Sequence, residues 1–302
     1  MRVFEISRMT NRNGPGIRTL VHFKGCPLRC VWCSTPESQK AEFELRHVPE
    51  RCIGCGVCVD ACSVGAIRML DGVSEVNRDL CVRCFACTKV CTAKALTVIG
   101  RSWEPEALAA EIMKDKVFFD SSGGGVTFSG GEPLLFVDDD MERLYRILKE
   151  AGVSIGVDTT GSVPWPNIER LLPYIDFFLW DLKCMDPERH RRLTGADNAL
   201  ILENLRRVDA RAAEFGTQVY IRCVQVPGMT DDDENLIRTC QWLLPLRCIR
   251  EVDLLNFHNL GSNRYRYTGR VSPVLDLEPL EQEEMERKRA LVQQQGLACR
   301  IV

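Results

Sequence analysis

Sixteen cysteines stand out in this chain of 302 residues, and eleven of them lie between residues 26 and 91. The first group follows the pattern CxxxCxxC and comprises Cys26, Cys30 and Cys33. Two further groups share the pattern CxxCxxCxxxC, offset by 29 residues, and comprise Cys52, Cys55, Cys58 and Cys62, then Cys81, Cys84, Cys87 and Cys91. Closely spaced thiolates ligate soft metals and iron–sulfur clusters, so the spacing indicates metal or redox chemistry.

The two longer groups form an internal repeat in which three thiolates could wrap one face of a cluster while the fourth comes from farther away. The repeat resembles that of bacterial two-cluster ferredoxins, where the fourth cysteine of each run ligates the other cluster. This resemblance implies two [4Fe–4S] clusters, one on Cys52, Cys55, Cys58 and Cys91 and one on Cys62, Cys81, Cys84 and Cys87. Two zinc sites are the alternative, although zinc ribbons do not need this tight run twice.

The CxxxCxxC group supplies three thiolates with no fourth cysteine nearby. A cluster held by three cysteines leaves one iron with an open coordination position, which is the usual mark of a reactive site. The alternative is a zinc site completed by His22 or His47. The spacing favours a reactive iron–sulfur cluster over a structural metal.

The residues around this group carry a family resemblance. CxxxCxxC resembles the signature of the radical S-adenosylmethionine (SAM) enzymes. The flanking segments, Asn13-Gly-Pro-Gly-Ile-Arg-Thr19 and Trp32-Cys33-Ser34-Thr35-Pro36-Glu37-Ser38, resemble those of the glycyl radical enzyme activating enzymes. The subgroup with an inserted two-cluster ferredoxin domain is the most similar, and Asn13 stands where that family often has aspartate.

Six short apolar runs predict buried strands that alternate with helices. They are Thr19–Lys24, Gly125–Ser129, Ser154–Asp158, Phe177–Asp181, Gln218–Val224 and Val252–Phe257. Alternation of this kind indicates a parallel sheet. The predicted fold is α/β, a partial (β/α)6 TIM-like barrel formed by residues 1–42 and 99–302. A bacterial-ferredoxin-like α+β domain, residues 43–98, is expected to interrupt it.

Helices are expected at residues 106–116 and 198–215, and before Gly152, a plausible stop. Another is expected at residues 231–244, with Thr230 and Asp233 resembling a capping box.

Glycines or charged residues follow each predicted strand. After the first strand comes the CxxxCxxC loop, and the others lead into Gly130-Gly131-Glu132, Asp158-Thr159-Thr160-Gly161, Asp181-Leu182-Lys183, Arg222 with Val226-Pro227-Gly228, and His258. Taken singly, each could be a turn, a helix cap, a surface charge or a core histidine. Functional residues of (β/α) barrels gather at the C-terminal ends of the strands, so together they favour one shared site.

The family resemblance implies a role for each of these residues. Gly130 and Gly131 match the backbone edge that receives the SAM amino group, because glycine allows close approach. The other matches to SAM-contacting residues are Trp32, Cys33, Ser34, Asp181, Leu182, Lys183, Arg222 and His258. A candidate monovalent-cation site comprises Asp158, Thr159 and Asp181.

The resemblance implies reductive cleavage of SAM to methionine and a 5′-deoxyadenosyl radical, which abstracts a Cα hydrogen from a glycine of a partner glycyl radical enzyme. It also implies an electron donor such as flavodoxin or ferredoxin. The alternatives are a radical SAM enzyme acting on a small molecule or RNA, and an electron carrier. An electron carrier would leave the three-cysteine loop and the strand-end residues without a role.

The composition excludes several classes of protein. With 39 basic and 42 acidic residues, the formal net charge is −3, so no nucleic-acid partner is expected. No apolar run is long enough to cross a membrane, and the first residues do not resemble a signal peptide. The chain is therefore expected to be cytoplasmic. Because a cluster with an open iron is oxygen-labile, it is expected to function in an anaerobic cytoplasm. Cys184, Cys223, Cys240, Cys248 and Cys299 remain as ordinary thiols.

Overall fold

The structure is a computed structural model that describes residues 1–302. Its strands are β1 (Arg2–Thr10), β2 (Arg18–Phe23), β3 (Glu44–His47), β4 (Ile67–Leu70), β5 (Val73–Val76), β6 (Leu96–Ile99), β7 (Arg101–Ser102), β8 (Gly125–Gly130), β9 (Ser154–Thr159), β10 (Phe177–Asp181), β11 (Gln218–Gln225), β12 (Ile249–Asn256) and β13 (Cys299–Ile301). Its α-helices are α1 (Val57–Asp60), α2 (Ala86–Val90), α3 (Pro105–Met113), α4 (Lys116–Ser122), α5 (Asp139–Glu150), α6 (Trp165–Leu171), α7 (Pro187–Thr194), α8 (Ala199–Phe215), α9 (Asp233–Leu243), α10 (Ser262–Tyr267) and α11 (Gln282–Gln294). Three short 3₁₀ turns lie at Pro36–Ser38, Pro49–Arg51 and Leu172–Tyr174.

Nine strands form one sheet in the order β13-β12-β11-β10-β9-β8-β2-β1-β7. The six predicted strands are β2 and β8 to β12, and each runs parallel to its neighbours among them. This confirms the prediction of an α/β fold with a parallel sheet. The sheet does not close, because the edge strands β7 and β13 do not pair with each other. No helix is long and apolar enough to cross a membrane.

Helices cover one face of this sheet, and their ends follow local chemistry. The α5 helix is N-capped by Asp138, whose carboxylate accepts a hydrogen bond from the N–H of Met141 at 2.9 Å. It is followed by Gly152 at φ +69°, as predicted. Its buried face, which includes Leu144 and Leu148, packs into the main hydrophobic core. Such helices fix the strands that carry the loops of the site.

Two helix boundaries differ from those expected. Asp232 caps α9 by accepting from the N–H of Asn235 at 2.9 Å, whereas the Thr230 hydroxyl donates to the Val224 carbonyl at 2.6 Å. The helix predicted at residues 106–116 is α3, which ends at Met113, and α4 begins at Lys116 after a break at Asp115. The carboxylate of Asp115 is bonded to Arg8 and to the buried Thr19 hydroxyl, so a tertiary contact with β1 and β2 breaks the helix.

Residues 43–98 form a small unit of two antiparallel strand pairs and two short helices. Strand β3 pairs with β6, and β4 pairs with β5, both in antiparallel fashion. A separate apolar cluster holds this unit together and comprises Leu45, Cys58, Ile67, Cys87 and Leu96. The segment leaves the main sheet after β2 and returns to it at β7.

Arg18 at the start of β2 ties together the end of the sheet opposite the predicted site. Its side chain is fully buried, donates to Thr127 Oγ1 at 2.7 Å and to the Ser154 carbonyl at 2.9 Å, and lies over the Phe177 ring at 4.7 Å. Burial lowers the pKa of Arg18 to about 10. The contacts with Thr127 and Ser154 join β2 to β8 and β9, and a further one to the Pro15 carbonyl at 3.1 Å holds the loop before β2.

We expect Arg18→Met to lower the free energy of unfolding by about 3 kcal/mol, because buried acceptors lose their donors. Urea unfolding of the purified protein measures this change. The matched control is Arg238→Met, since Arg238 is exposed and its ion pair with Glu234 is 3.9 Å long. A shift no larger than that of the control, about 0.5 kcal/mol, would contradict the assigned role.

Candidate active site

A cavity of about 390 Å³ lies at the C-terminal ends of the parallel strands. It is lined by twelve residues that the sequence singled out, namely Cys26, Cys30, Trp32, Cys33, Ser34, Gly130, Gly131, Asp158, Asp181, Lys183, Arg222 and His258. They come from the loop after β2 and from the ends of the strands that follow it. The structure therefore brings the three-cysteine loop and the strand-end motifs to one place.

The CxxxCxxC loop is held by backbone contacts with α7. The N–H groups of Arg29 and Val31 donate to the carbonyls of Thr194 and Leu193 at 2.6 and 3.0 Å. All three cysteines of the loop are free thiols. Burial raises the pKa of the Cys30 thiol to about 11, although the nearby Lys183 ammonium opposes that rise. Protonated, buried thiols of this kind become ligands when a metal or cluster displaces their protons.

Two glycines after β8 bring their backbone against the cysteine loop. A Cβ atom on Gly131 would lie 2.2 Å from the Gly25 carbonyl oxygen, and one on Gly130 would lie 2.6 Å from the Phe23 nitrogen. The N–H of Glu132 donates to the Gly25 carbonyl at 2.8 Å. Because Gly25 directly precedes Cys26, no other residue type lets the backbone reach the cavity this closely.

Two ion pairs form the opposite wall of the cavity. Lys183 Nζ lies 2.8 Å from Asp181 Oδ2, and Arg222 Nη1 lies 3.3 Å from Asp158 Oδ2. Burial alone would lower the pKa of Lys183, but the Asp181 carboxylate outweighs burial and raises it. The buried Arg222 Nε has no hydrogen-bond partner within the protein. The wall therefore presents two cations, each facing a carboxylate, and one guanidinium N–H without a partner within the protein.

Two of the predicted site residues point away from the cavity. Leu182 is buried in the main hydrophobic core. The Thr159 hydroxyl donates to Glu132 Oε1 at 2.7 Å and accepts from the N–H of Gly161 at 2.9 Å. No three His, Cys, Asp or Glu side chains converge closely enough to hold a single metal ion. The carboxylates of Asp158 and Asp181, proposed for a cation, are instead paired with side-chain cations.

The eight remaining motif cysteines line two small cavities of the 43–98 unit. One cavity is lined by Cys52, Cys55, Cys58 and Cys91, and the other by Cys62, Cys81, Cys84 and Cys87. Each set takes three thiols from one run and one from the other. Backbone N–H groups of Ala66, Ser74 and Leu96 point at the sulfurs of Cys62, Cys52 and Cys91, at 3.2, 3.4 and 3.4 Å.

Two further residues lie in or beside the cavity, His22, which the sequence offered only as a zinc ligand, and Glu132, to which it assigned no role. His22 lines it from β2, and burial lowers the pKa of its imidazole to about 4. Glu132 is 1% exposed and lies beneath the cavity wall, where it accepts from the hydroxyls of Thr159 and Thr160. Two features of the sequence could have indicated these residues. His22 is a polar residue within the apolar run of residues 20–23, and Glu132 directly follows the glycine pair.

The chain matches known proteins over most of its length. A sequence profile of the Radical SAM superfamily matches residues 20–240. An indoleacetate decarboxylase activating enzyme from Tractidigestivibacter scatoligenes is 33% identical over 309 aligned residues, covering 99% of this chain and 96% of that protein. A trans-4-hydroxy-L-proline dehydratase activating enzyme from Clostridioides difficile is 34% identical, covering 99% and 98%. This chain is a radical SAM glycyl radical enzyme activating enzyme.

A solved structure agrees at the level of the fold. A radical SAM methyltransferase from Sphaerobacter thermophilus superposes with a TM-score of 0.56 at 16% identity, covering 94% of this chain and 66% of that one. Membership of the superfamily gives the activating enzyme a [4Fe–4S] cluster and SAM as cofactors.

We expect Lys183→Met to weaken SAM binding by the activating enzyme about tenfold, because it removes a buried cation and leaves Asp181 unpaired beside the thiols. Equilibrium dialysis of SAM against the cluster-loaded protein measures the change. Lys114→Met is the matched control, since Lys114 is exposed and pairs only with Glu111. Equal affinities of the two variants for SAM would contradict a role for Lys183 in the site.

Proposed function

We propose that the 390 Å³ cavity is where this activating enzyme cleaves SAM and acts on a glycine of its partner. When bound on Cys26, Cys30 and Cys33, a reduced cluster would supply one electron to SAM, and cleavage of the C–S bond of SAM would give methionine and a 5′-deoxyadenosyl radical able to abstract a Cα hydrogen from the glycine. The observation that carries the proposal is the convergence of three thiols, a glycine backbone edge and two ion pairs on one cavity. A reaction of this type needs no general base, and the protein supplies binding and orientation.

The residues of the cavity fit the two cofactors. Cys26, Cys30 and Cys33 offer three thiolates without a fourth, which suits a cluster with one open iron. The partnerless Arg222 Nε and the Lys183 ammonium suit a carboxylate. The backbone beside Gly131 suits an amino group.

An apolar shelf supports placement of the adenine. Trp32 is 8% exposed and packs with Leu193, Val226, Phe257 and Val274 in a small separate core. His258 lies at the rim of the same cavity and is exposed. These residues would hold the base by contact with its face and exclude water from the reacting end.

For the 43–98 unit we propose a ferredoxin-like domain inserted into a partial barrel of residues 1–42 and 99–302. Its two cavities, each lined by four thiols, would hold two further [4Fe–4S] clusters. Burial alone would raise the pKa of Cys52, but hydrogen bonds from the N–H groups of Ser74 and Gly54 outweigh it and lower it. Backbone donors of this kind stabilise thiolates and tune cluster potentials.

The partner is a glycyl radical enzyme. Relatives of this chain activate partners as different as a decarboxylase, a dehydratase and a lyase. We propose a partner from this range, with reducing equivalents from a flavodoxin or ferredoxin. No residue near the cavity distinguishes among the final metabolites, because those bind to the partner.

Metal analysis and SAM turnover test the proposal together. The anaerobically reconstituted protein is expected to hold about 12 irons and about 12 sulfides per chain. Reduction in the presence of SAM is expected to release methionine and 5′-deoxyadenosine. An iron content of about four per chain would show that the 43–98 unit holds no clusters, and stoichiometric zinc would show that it holds zinc sites instead. A reduced protein that leaves SAM intact would favour a plain electron carrier.

A further inference from the structure

A segment near the C-terminus joins the cysteine loop to the inserted unit. This C-terminal segment, residues 259–281, includes α10. Its Gly261 packs against the backbone of Ser34, where an added Cβ would lie 2.8 Å from the carbonyl oxygen. Arg264 Nη1 donates to Glu37 Oε1 at 2.6 Å, and Arg270 Nη1 donates to the Pro36 carbonyl at 3.1 Å. The segment is thus fixed to the residues that directly follow Cys33.

The same segment is fixed to the inserted unit through Arg78. The guanidinium of this half-buried residue donates to the Leu45 carbonyl at 2.5 Å and to the Tyr267 carbonyl at 3.1 Å. Gly269 leaves room for its stem, since a Cβ there would lie 3.0 Å from Arg78 Cγ. Arg270 adds a second link, because its Nη2 donates to Glu44 Oε1 at 2.6 Å.

These links reach only one of the two thiol-lined cavities. Leu45 lines the cavity of Cys62, Cys81, Cys84 and Cys87. The cavity of Cys52, Cys55, Cys58 and Cys91 has only an exposed link to the C-terminal segment, the ion pair between Arg266 and Glu50.

The two cavities are joined to each other through the interior of the unit. Cys58 of one set and Cys87 of the other are both buried and belong to the same apolar core. On the far side of the C-terminal segment, Gly261 packs against the backbone of Ser34, the residue after Cys33. A route of contacts therefore runs from the core that holds Cys58, Cys87 and Leu45, through Arg78 and the C-terminal segment, to the cysteine loop.

We propose that the Cys62/Cys81/Cys84/Cys87 site is the inner relay and the Cys52/Cys55/Cys58/Cys91 site the outer one, with Arg78 positioning the inner site against the radical-forming loop. The order rests on the proposed function, which supplies the clusters. One electron leaves a one-electron protein donor, which is oxidised, enters at the outer site, and ends on the CxxxCxxC site. No proton moves and no bond changes until SAM accepts that electron and its C–S bond breaks.

Spin relaxation of the reduced CxxxCxxC cluster tests the order. A neighbouring paramagnetic cluster accelerates this relaxation steeply as the distance falls, so the inner cluster dominates the effect. The double variants Cys81→Ala/Cys84→Ala and Cys52→Ala/Cys55→Ala remove equivalent positions of the repeat. We expect the first to slow the relaxation to that of an isolated cluster, and the second to leave it near the wild-type value. The reverse pattern, or equal slowing by both, would overturn the order.

Arg78→Gln tests the positioning role with all ligands intact. The expected result is an unchanged iron content, weaker spin coupling and a several-fold slower arrival of electrons from a reduced protein donor at the CxxxCxxC cluster. Arg68→Gln is the matched control, because Arg68 is exposed and pairs only with Glu75 inside the unit. Equal coupling in the two variants would overturn the role of Arg78. Wild-type protein with only about four irons would instead overturn the proposed function itself.

Discussion

Replacing Cys30 by alanine is expected to reduce SAM cleavage to background and to lower the iron content from about 12 to about eight per chain. Cys30 lies in the middle of the loop that contributes three thiols to the cavity, and no fourth cysteine is near enough to replace it. The two sites of the 43–98 unit use separate thiols, so they are expected to keep their iron. Iron analysis and chromatography of 5′-deoxyadenosine measure the two effects.

Cys248→Ala is the control for this experiment. Cys248 is a half-buried free thiol that lines neither the active-site cavity nor the two thiol-lined cavities, so its replacement is expected to leave iron content and turnover unchanged. If the Cys30 variant kept its iron or cleaved SAM at the rate of the Cys248 variant, the three-cysteine loop would not be the reactive site.

Gly131→Ala is expected to give the next largest effect. Its new methyl group would lie 2.2 Å from the Gly25 carbonyl and 3.0 Å from the Ser38 carbonyl, and neither backbone atom can move without displacing the cysteine loop. We expect the free energy of unfolding to fall by about 2–3 kcal/mol. SAM binding is expected to weaken at least about tenfold, because the backbone edge is pushed out of register with the loop.

The control for this variant is Gly216→Ala. Gly216 follows α8 at φ +70° with no atom within 4 Å of the added Cβ, so only backbone strain of about 1 kcal/mol is expected. SAM affinity should stay at the wild-type value. Unfolding curves and SAM titrations of the two variants separate general destabilisation from loss of the site, and equal SAM affinities would contradict the role of Gly131.

The alternation of side chains along strands explains where the sequence-based prediction of the site was incomplete. Successive residues of a strand point to opposite faces, so Asp158 and Thr159 cannot both face the cavity. The same rule places Asp181 and Lys183 on the cavity side and turns Leu182 into the core. The glycines and charged residues at the strand ends made the location of the site predictable. Assignment by motif included every residue of a motif, although only alternate side chains face the cavity.

Long-range contacts account for what the sequence did not predict in the fold. Strand β1 joins the sheet in antiparallel fashion beside β2, and its Arg8 contacts the residue that divides α3 from α4. Nothing local to residues 106–116 signals that break. The contact of Arg78 with the Tyr267 carbonyl spans 189 positions, so no spacing pattern could have indicated it.

The most direct test of the central claim follows the hydrogen atom that the partner's glycine loses. Candidate glycyl radical enzymes, made with glycine deuterated at Cα, are incubated anaerobically with the reduced activating enzyme and SAM. For the true partner we predict an organic radical by electron paramagnetic resonance and one deuterium in each 5′-deoxyadenosine by mass spectrometry. A radical on the partner with unlabelled 5′-deoxyadenosine, or SAM cleavage without a radical on any candidate of the panel, would contradict the account.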